Sequence, residues 1–400
     1  MTINVNWPLA SSSWDSKEIE ALKRVIDSRH FTMGEITLEF EREFANWVGR
    51  RFALMVNSGS SANLLAAAAL AYQKNPVSFG IERGEVIVPA VSWSTTYFPF
   101  HQMGYKLVFV DVDLETFNID STQLTEALSK ETVGVVGVNL LGEVGPWDNI
   151  QSFARDSGLW TFEDNCESMG SEKFGENSGT FGDISSYSFF YSHHICTMEG
   201  GMVVCDDEDL YLSMLSLRAH GWGRNIPMNA PFFRTERMND WQEQFRFYLP
   251  GYNLRPLEMS AAVGIEQLAK FPGLLETRRF NGNLLNKIVR ESKIEWRIQR
   301  VTKGSSFFAF GFVHPDSLTG NSIRDKTVLN LERHGVQTRP IVAGNFTLNP
   351  VMKYLNHRIV GNLNSATLIH NNGFMIGNHH FDLSDKFEHL LEILAARETF

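Results

Sequence analysis

Two adjacent histidines, His193 and His194, stand in Ser188-Phe189-Phe190-Tyr191-Ser192-His193-His194-Ile195-Cys196-Thr197-Met198-Glu199-Gly200-Gly201. An imidazole titrates near neutrality, so it can take up a proton and return it within one reaction. Unlike a lysine amine, it cannot form an imine with an aldehyde. No lysine lies between Lys173 and Lys270, so this span offers no amine as a covalent tether. Upstream, Asp164 lies in Glu163-Asp164-Asn165-Cys166-Glu167-Ser168-Met169-Gly170. A carboxylate there can hold a cationic group or simply cap a helix. Asn57-Ser58-Gly59-Ser60-Ser61-Ala62-Asn63 is a third candidate. At a helix start, glycine lets the backbone approach a ligand, exposed N–H groups favour a phosphate, and Ser60 and Ser61 add hydroxyl donors. The same residues would also serve as an ordinary helix cap.

These groups need a frame. Ile19, Leu22 and Ile26 recur at helical spacing, and Phe40, Phe44 and Trp47 share a face of a second helix expected over about Glu35 to Val48. Strand and helix signals then alternate. Strands are expected at Phe52 to Val56, Glu85 to Val88, Leu107 to Val110, Val133 to Val138 and Leu159 to Phe162. Helices are expected at Ser60 to Ala71, Ser94 to Gln102 and Trp147 to Ser157. Such alternation argues a mostly parallel sheet covered by helices on both faces, with ligands beyond the carboxyl ends of its strands. After about Met259 the pattern changes. One helix near Ala261 to Leu268 leads into a second from Glu276 to Ser292, and Phe307 to Val313 reads as a strand of a smaller domain.

Composition narrows the partners. The formal net charge is −10 and no dense run of Lys or Arg occurs, which argues against nucleic acid and anionic membranes. The apolar stretch Leu64 to Tyr72 is too short to span a bilayer. Met1 to Pro8 carries neither a basic nor an apolar leader pattern, so a cytoplasmic protein is expected. Three cysteines, Cys166, Cys196 and Cys205, make no disulfide framework and fit a reducing compartment. No Cys/His set has the spacing of a metal site.

The segment from Ser188 to Gly201 resembles the cofactor loop of sugar aminotransferases that use pyridoxal phosphate (PLP). That loop reads roughly S-F-x-x-x-K-x-x-x-x-x-E-G-G, and His193 takes the place of its lysine. The likeness continues through Phe31 to Glu35, Val88 to Tyr97, Glu163 to Gly170, Arg218 to Trp222, Leu249 to Ser260, Arg339 to Val342 and Gly377 to His379. On these stretches the chain resembles the DegT/DnrJ/EryC1/StrS family of PLP-dependent sugar aminotransferases and dehydratases.

The resemblance implies an α/β fold of the aspartate-aminotransferase kind, with a mostly parallel seven-stranded sheet between helices. A large PLP-binding domain over 1–260 and a smaller C-terminal α/β domain over 261–400 are expected. It also implies site roles. Gly59, Ser60, Ser61 and Ser188 would hold the cofactor phosphate, with Asn253 supplied to the neighbouring subunit of a homodimer with shared active sites. Trp93 would stack on the pyridine ring and Asp164 would pair with its nitrogen. Glu167 stands where aminotransferases usually carry glutamine, so it is placed near the cofactor. His193 would carry the proton, and His220, Arg224, Arg339 and His379 would contact the sugar or nucleotide. A histidine at the lysine position points to the dehydratase branch: PLP and pyridoxamine phosphate (PMP) in C3 deoxygenation of a nucleotide-linked 4-keto-6-deoxyhexose, with glutamate as amino donor. A related dehydratase type carries an iron–sulfur cluster, which needs four thiolates; three cysteines cannot supply them. Two alternatives remain open: an aminotransferase on this fold, or a binding protein with a degenerate cofactor site.

Overall fold

Short, largely buried runs, most of them apolar, become the core strands. They are β1 Phe52–Val56, β2 Glu85–Pro89, β3 Lys106–Val110, β4 Thr132–Val138, β5 Trp160–Asp164, β6 Ile184–Ser188 and β7 Gly201–Cys205. Further strands follow: β8 Arg297–Ile298, β9 Ala309–Val313, β10 Thr338–Arg339, β11 His357–Ile359 and β12 Gly373–Gly377. The computed structural model describes residues 6–76, 82–224, 226–227, 230 and 239–396. Of the N-terminal stretch read for a leader, Met1 to Val5 lie outside them.

The large sheet has the order β1-β7-β6-β5-β4-β2-β3-β11. It is parallel except for β7, which runs against both β1 and β6. The mostly parallel sheet is therefore present, but it has eight strands rather than seven. The eighth, β11, returns from the C-terminal part of the chain and pairs in parallel with β3, His357 opposite Leu107. Its three residues, two of them basic or imidazole, carry no apolar alternation that would betray a strand. Electrostatics holds it instead. Arg358 Nε donates to Glu85 Oε1 at 2.9 Å and Nη2 to Oε2 at 2.7 Å, while Lys106 Nζ lies 3.0 Å from Glu85. The Arg358 bonds, opposed by burial and helped by Ser129 and Lys106, pull the Glu85 carboxyl down to about 2.

Arg358→Ala should therefore loosen this edge and leave Glu85 with Lys106 and Ser129 only. Losing hydrogen bonds to a charged, buried partner costs about 1.5–3 kcal/mol, to be read from the urea midpoint at pH 7. The folded pKa lies below that of the unfolded chain, so the contribution is present above the unfolded value and fades as pH falls toward about 2. The destabilisation should shrink accordingly in acid.

Strands β8, β9, β12 and β10 form a second, antiparallel sheet in that order. A single 34-residue helix, Glu258–Glu291, joins the two sheets' territories. Two helices were expected here, and the residue numbers 260 and 261 of the expected domain division both fall inside this one. Pro272 interrupts its hydrogen-bond ladder but not its course. A helix-interior proline costs about 3 kcal/mol. Against that stand Phe271 and Leu275, buried with Phe44 and Tyr187, and Leu285 and Val289, buried with Trp296 and Phe312. Each fully buried side chain of this size contributes roughly 1.5–3 kcal/mol, so packing on both sides of the proline outweighs the local loss.

The five strands β1, β2, β4, β5 and β6 point the same way, so their carboxyl ends share one edge. Gly59 follows β1, Trp93 follows β2, and Asp164 and Ser188 end β5 and β6. Residues far apart in sequence are thus delivered to one place.

Candidate active site

A cleft of about 630 Å³ opens at that edge, within the range of small-molecule sites. Its wall brings together Gly59, Ser60, Trp93, Asp164, Glu167, Ser188, His193 and Arg339. Of the residues read as site candidates, it leaves out Ser61, Asn253, His220, Arg224 and His379.

The phosphate end is built by close backbone approach. Gly59 is the first residue of the helix Gly59–Gln73, and the Ser58 hydroxyl caps it by accepting from Ser61 N at 3.0 Å. A Cβ at Gly59 would collide with the Ser188 side chain, its Oγ at 2.7 Å. A Cβ at Gly201 would collide with the Ser58 carbonyl. Gly201, which closes the histidine loop, is thus required where β7 runs beside the end of β1, while a Cβ at its neighbour Gly200 would collide with Thr197 Oγ1 within the loop. Ser61 is occupied in this capping, its hydroxyl 3.0 Å from that of Ser58. The cradle left at the cleft is Gly59, Ser60 and Ser188, at the positive end of a 15-residue helix.

Asp164 is buried, and three donors fix it. Asn63 Nδ2 and Thr96 Oγ1 reach Oδ2 at 3.0 and 2.7 Å, and Cys166 N reaches Oδ1 at 3.2 Å. Among the described residues it has no cationic partner. A buried carboxylate with neutral donors alone is electrostatically incomplete, and a protonated pyridine nitrogen would complete it. The phosphate cradle, Trp93 at the mouth and Asp164 in the depth fit PLP or PMP. Asn63 and Thr96 were missed by the sequence reading. Asn63 had a signal: a lone amide inside a buried run, Ala62 to Ala71, needs a partner.

Glu167 lies beside this group. Burial raises its carboxyl to about 7, and the Asp164 charge adds to that effect. The Leu141 N–H, 3.2 Å from Oε2, and Arg339 oppose it.

His193 is half-buried on the wall. Its loop is pinned by Phe189 N to Gly200 O and Thr197 N to Phe189 O, both 2.9 Å, and by Trp14 Nε1 to Cys196 O, 2.9 Å. Dense packing pushes the imidazole down to about 4, and the Arg278 charge pushes in the same direction. It is therefore neutral at pH 7 and able to accept a proton. Its Nδ1 has a long contact to Ser192 Oγ, 3.5 Å, and Nε2 has no hydrogen-bond partner among the described residues. His194 points elsewhere: it is buried, and its Nε2 lies 3.3 Å from Ser306 O.

The remaining candidates have other settings. His379 is buried between Ser11 Oγ, 2.7 Å, and Pro8 O, 2.9 Å, behind the wall formed by Gly377. His220 packs against Trp222 with a left-handed backbone, φ 64°, and Arg224 is an exposed turn residue. Asn253 is exposed and accepts from Arg255 Nε at 3.0 Å. Cys166, Cys196 and Cys205 are all free thiols. Among the described residues, no group of three or more His, Cys, Asp or Glu is placed to hold a metal ion, and no helix is long and apolar enough to cross a membrane.

The sequence model of the DegT/DnrJ/EryC1/StrS aminotransferase family matches residues 12–394. The chain belongs to this family. Within it, the chain is 45% identical over 394 residues to the GDP-4-keto-6-deoxy-D-mannose 3-dehydratase of Yersinia pseudotuberculosis, covering 98% of this chain and 99% of that one. Among solved structures of the family, the Escherichia coli GDP-4-keto-6-deoxy-D-mannose-3-dehydratase with bound hydrated PLP superposes with a TM-score of 0.92 at 44% identity, over 98% of this chain and 100% of that chain. A GDP-4-keto-6-deoxymannose-3-dehydratase with a trapped PLP–glutamate geminal diamine gives 0.92 at 43%, over 97% of this chain and 100% of that chain.

Proposed function

We propose that this chain is a PLP/PMP-dependent 3-dehydratase that removes the C3 hydroxyl of GDP-4-keto-6-deoxy-D-mannose, with glutamate as amino donor. His193 decides between dehydratase and aminotransferase. It stands on the wall of a cleft whose described lining contains no lysine. Relatives 44–45% identical along nearly their whole length bear the dehydratase name, and the buried Asp164, with no cationic partner among the described residues, argues against a degenerate site.

Gly59, Ser60 and Ser188 would hold the cofactor phosphate, Trp93 would cover the ring and Asp164 would keep the ring nitrogen protonated. When bound, the cofactor supplies an electron sink adjoining the substrate's C4 carbon. His193 does the proton work. Neutral at pH 7, it would take up a C–H proton released next to that sink, the electron pair passing into the sink and then expelling the C3 hydroxyl, to which His193 returns the same proton so that it leaves as water. Arg339, at the cleft mouth with its charge free of ion pairs among the described residues, is placed to meet an anionic part of the substrate. The half of the site not built by this chain would come from a second copy. Asn253 is exposed and lies outside its own cleft, which suits a contribution across a homodimer interface. Three free thiols and the acidic surface suit the cytoplasm.

The test is product analysis. The protein, GDP-4-keto-6-deoxy-D-mannose and glutamate should yield a 3-deoxy-4-keto sugar one oxygen lighter, together with ammonia and 2-oxoglutarate. A stable 4-amino sugar as the main product would establish the aminotransferase instead. No turnover and no absorbing cofactor would leave only the binding protein.

A further inference from the structure

A general base needs a fixed orientation as well as a suitable pKa. Most catalytic histidines gain it from a hydrogen bond to a carboxylate or carbonyl. Among the described residues His193 has no such bond; the ring contact it does make to a polar atom is the 3.5 Å approach of Ser192 Oγ. Aromatic rings take that place. Phe308 meets the imidazole edge-on, centroids 5.2 Å apart at 62°, and Phe190 approaches it at 6.2 Å and 77°. Phe308 also abuts His194 at 5.6 Å. It belongs to the segment before β9, from the C-terminal half, yet it lines the same cleft.

Residue 308 is itself clamped at both backbone atoms. Its N–H donates to Leu141 O at 3.1 Å, and its carbonyl accepts from Arg278 Nη1 at 3.2 Å. The same Nη1 donates to Asn378 O at 3.0 Å, next to Gly377 of the wall. Arg278 is buried in the long helix Glu258–Glu291 and has no carboxylate partner among the described residues. A buried guanidinium spent on two carbonyls is costly, and its own pKa falls to about 10. Ordinary core packing would fill this place with an apolar side chain.

We infer that Phe308 and Arg278 are positioning residues for His193: the Phe308 ring sets the imidazole edge, and Arg278 holds residue 308 by its carbonyl. The inference rests on the reading of His193 as proton carrier. The Arg278 charge has a second consequence. After burial, it is the other cause of the low His193 pKa, so it also keeps the base unprotonated. Asp164 and Glu167 at the end of β5, Glu199 and His194 of the histidine loop, and Arg339 of β10 are the further titratable or charged groups around it.

Phe308→Leu keeps apolar bulk and removes the ring. Misplacing a reacting group by about 1 Å can cost a hundredfold, so kcat should fall by on the order of ten- to a hundredfold with KM for sugar and glutamate unchanged. A separate readout follows the imidazole itself, by NMR of histidine-labelled protein with His193 assigned from the His193→Asn difference. In Arg278→Met its midpoint should rise. Arg278→Lys keeps the charge and gives up the second carbonyl; its midpoint should stay and its kcat fall. An unchanged kcat in Phe308→Leu overturns the positioning role of the ring. If Arg278→Met does not fold, an unchanged kcat in Arg278→Lys overturns that of the arginine. The NMR midpoint does not depend on turnover, so failure of this inference is distinct from failure of His193 as the base.

Discussion

Replacing His193 with asparagine should abolish most dehydration while leaving the cofactor in place. Asparagine keeps size and polarity but has no basic ring nitrogen to take up and return a proton. Positioned acid–base catalysis contributes about a hundredfold to ten-thousandfold, and turnover should drop by at least roughly that range. Cofactor absorbance should persist, because Gly59, Ser60, Ser188, Trp93 and Asp164 are untouched. With burial pushing the imidazole down to about 4, this group should impose no acid limb on the rate between about pH 5 and 8. His193→Lys should behave differently. It restores an amine opposite Asp164, so borohydride followed by denaturation should leave a pyridoxyl group on the protein, which the wild-type chain should not retain. Near-normal dehydration by His193→Asn would exclude this base, and Glu167 would be the next group to replace.

Asp164→Asn should be nearly as damaging, for a different reason. The negative charge that would keep the ring nitrogen protonated disappears, and with it the electron sink. Loss of one preorganised electrostatic partner typically costs about a hundred- to a thousandfold, which single-turnover absorbance would measure. The amide is also a poor steric twin here. Asn63 Nδ2 and Thr96 Oγ1 both donate to Oδ2, and Cys166 N donates to Oδ1. An amide that turns its oxygen to the first two presents an N–H to Cys166 N. One buried donor is left unpaired, at about 1–3 kcal/mol. Both reduced cofactor affinity and a lower melting temperature should accompany the rate loss. Retained activity would remove Asp164 from the cofactor.

Legibility in the sequence followed locality. The strands β1 to β5 were readable because each is an uninterrupted buried run between turn residues, and their ends agree within one or two residues. The strand β11 was not, since its stability comes from Arg358 reaching Glu85, 273 positions away. The continuity of the helix through Phe271-Pro272-Gly273 was hidden for the same reason: the compensating burial is tertiary. In the site, Asp164 and His193 were visible by type and by motif, and the cleft gathers both. Residue type could not say which way a polar group faces. His379 carries the right chemistry for a sugar contact, yet Ser11 and Pro8 take both its nitrogens. Phe308 read only as part of a strand, and nothing in its neighbours announced that it would face a histidine more than a hundred positions earlier.

The long helix has a mechanical meaning. At 1.5 Å per residue it is a rod of roughly 50 Å, seated at one end against the large sheet's helices and at the other against the small sheet. An unbroken ladder of hydrogen bonds would make it stiff along its whole length. Pro272 removes one rung, and a Cβ at Gly273 beside it would meet nothing within 4 Å. The missing rung lies inside the first seat, because Leu275 beyond it is still buried with Phe44 and Tyr187 and Arg279 Nη2 still donates to Gly170 O at 2.9 Å. The rod is thereby pinned on both sides of its weakest turn. Arg278, which holds Phe308, belongs to that pinned stretch, so a load on the small sheet reaches the cleft through a stiff member rather than a hinge.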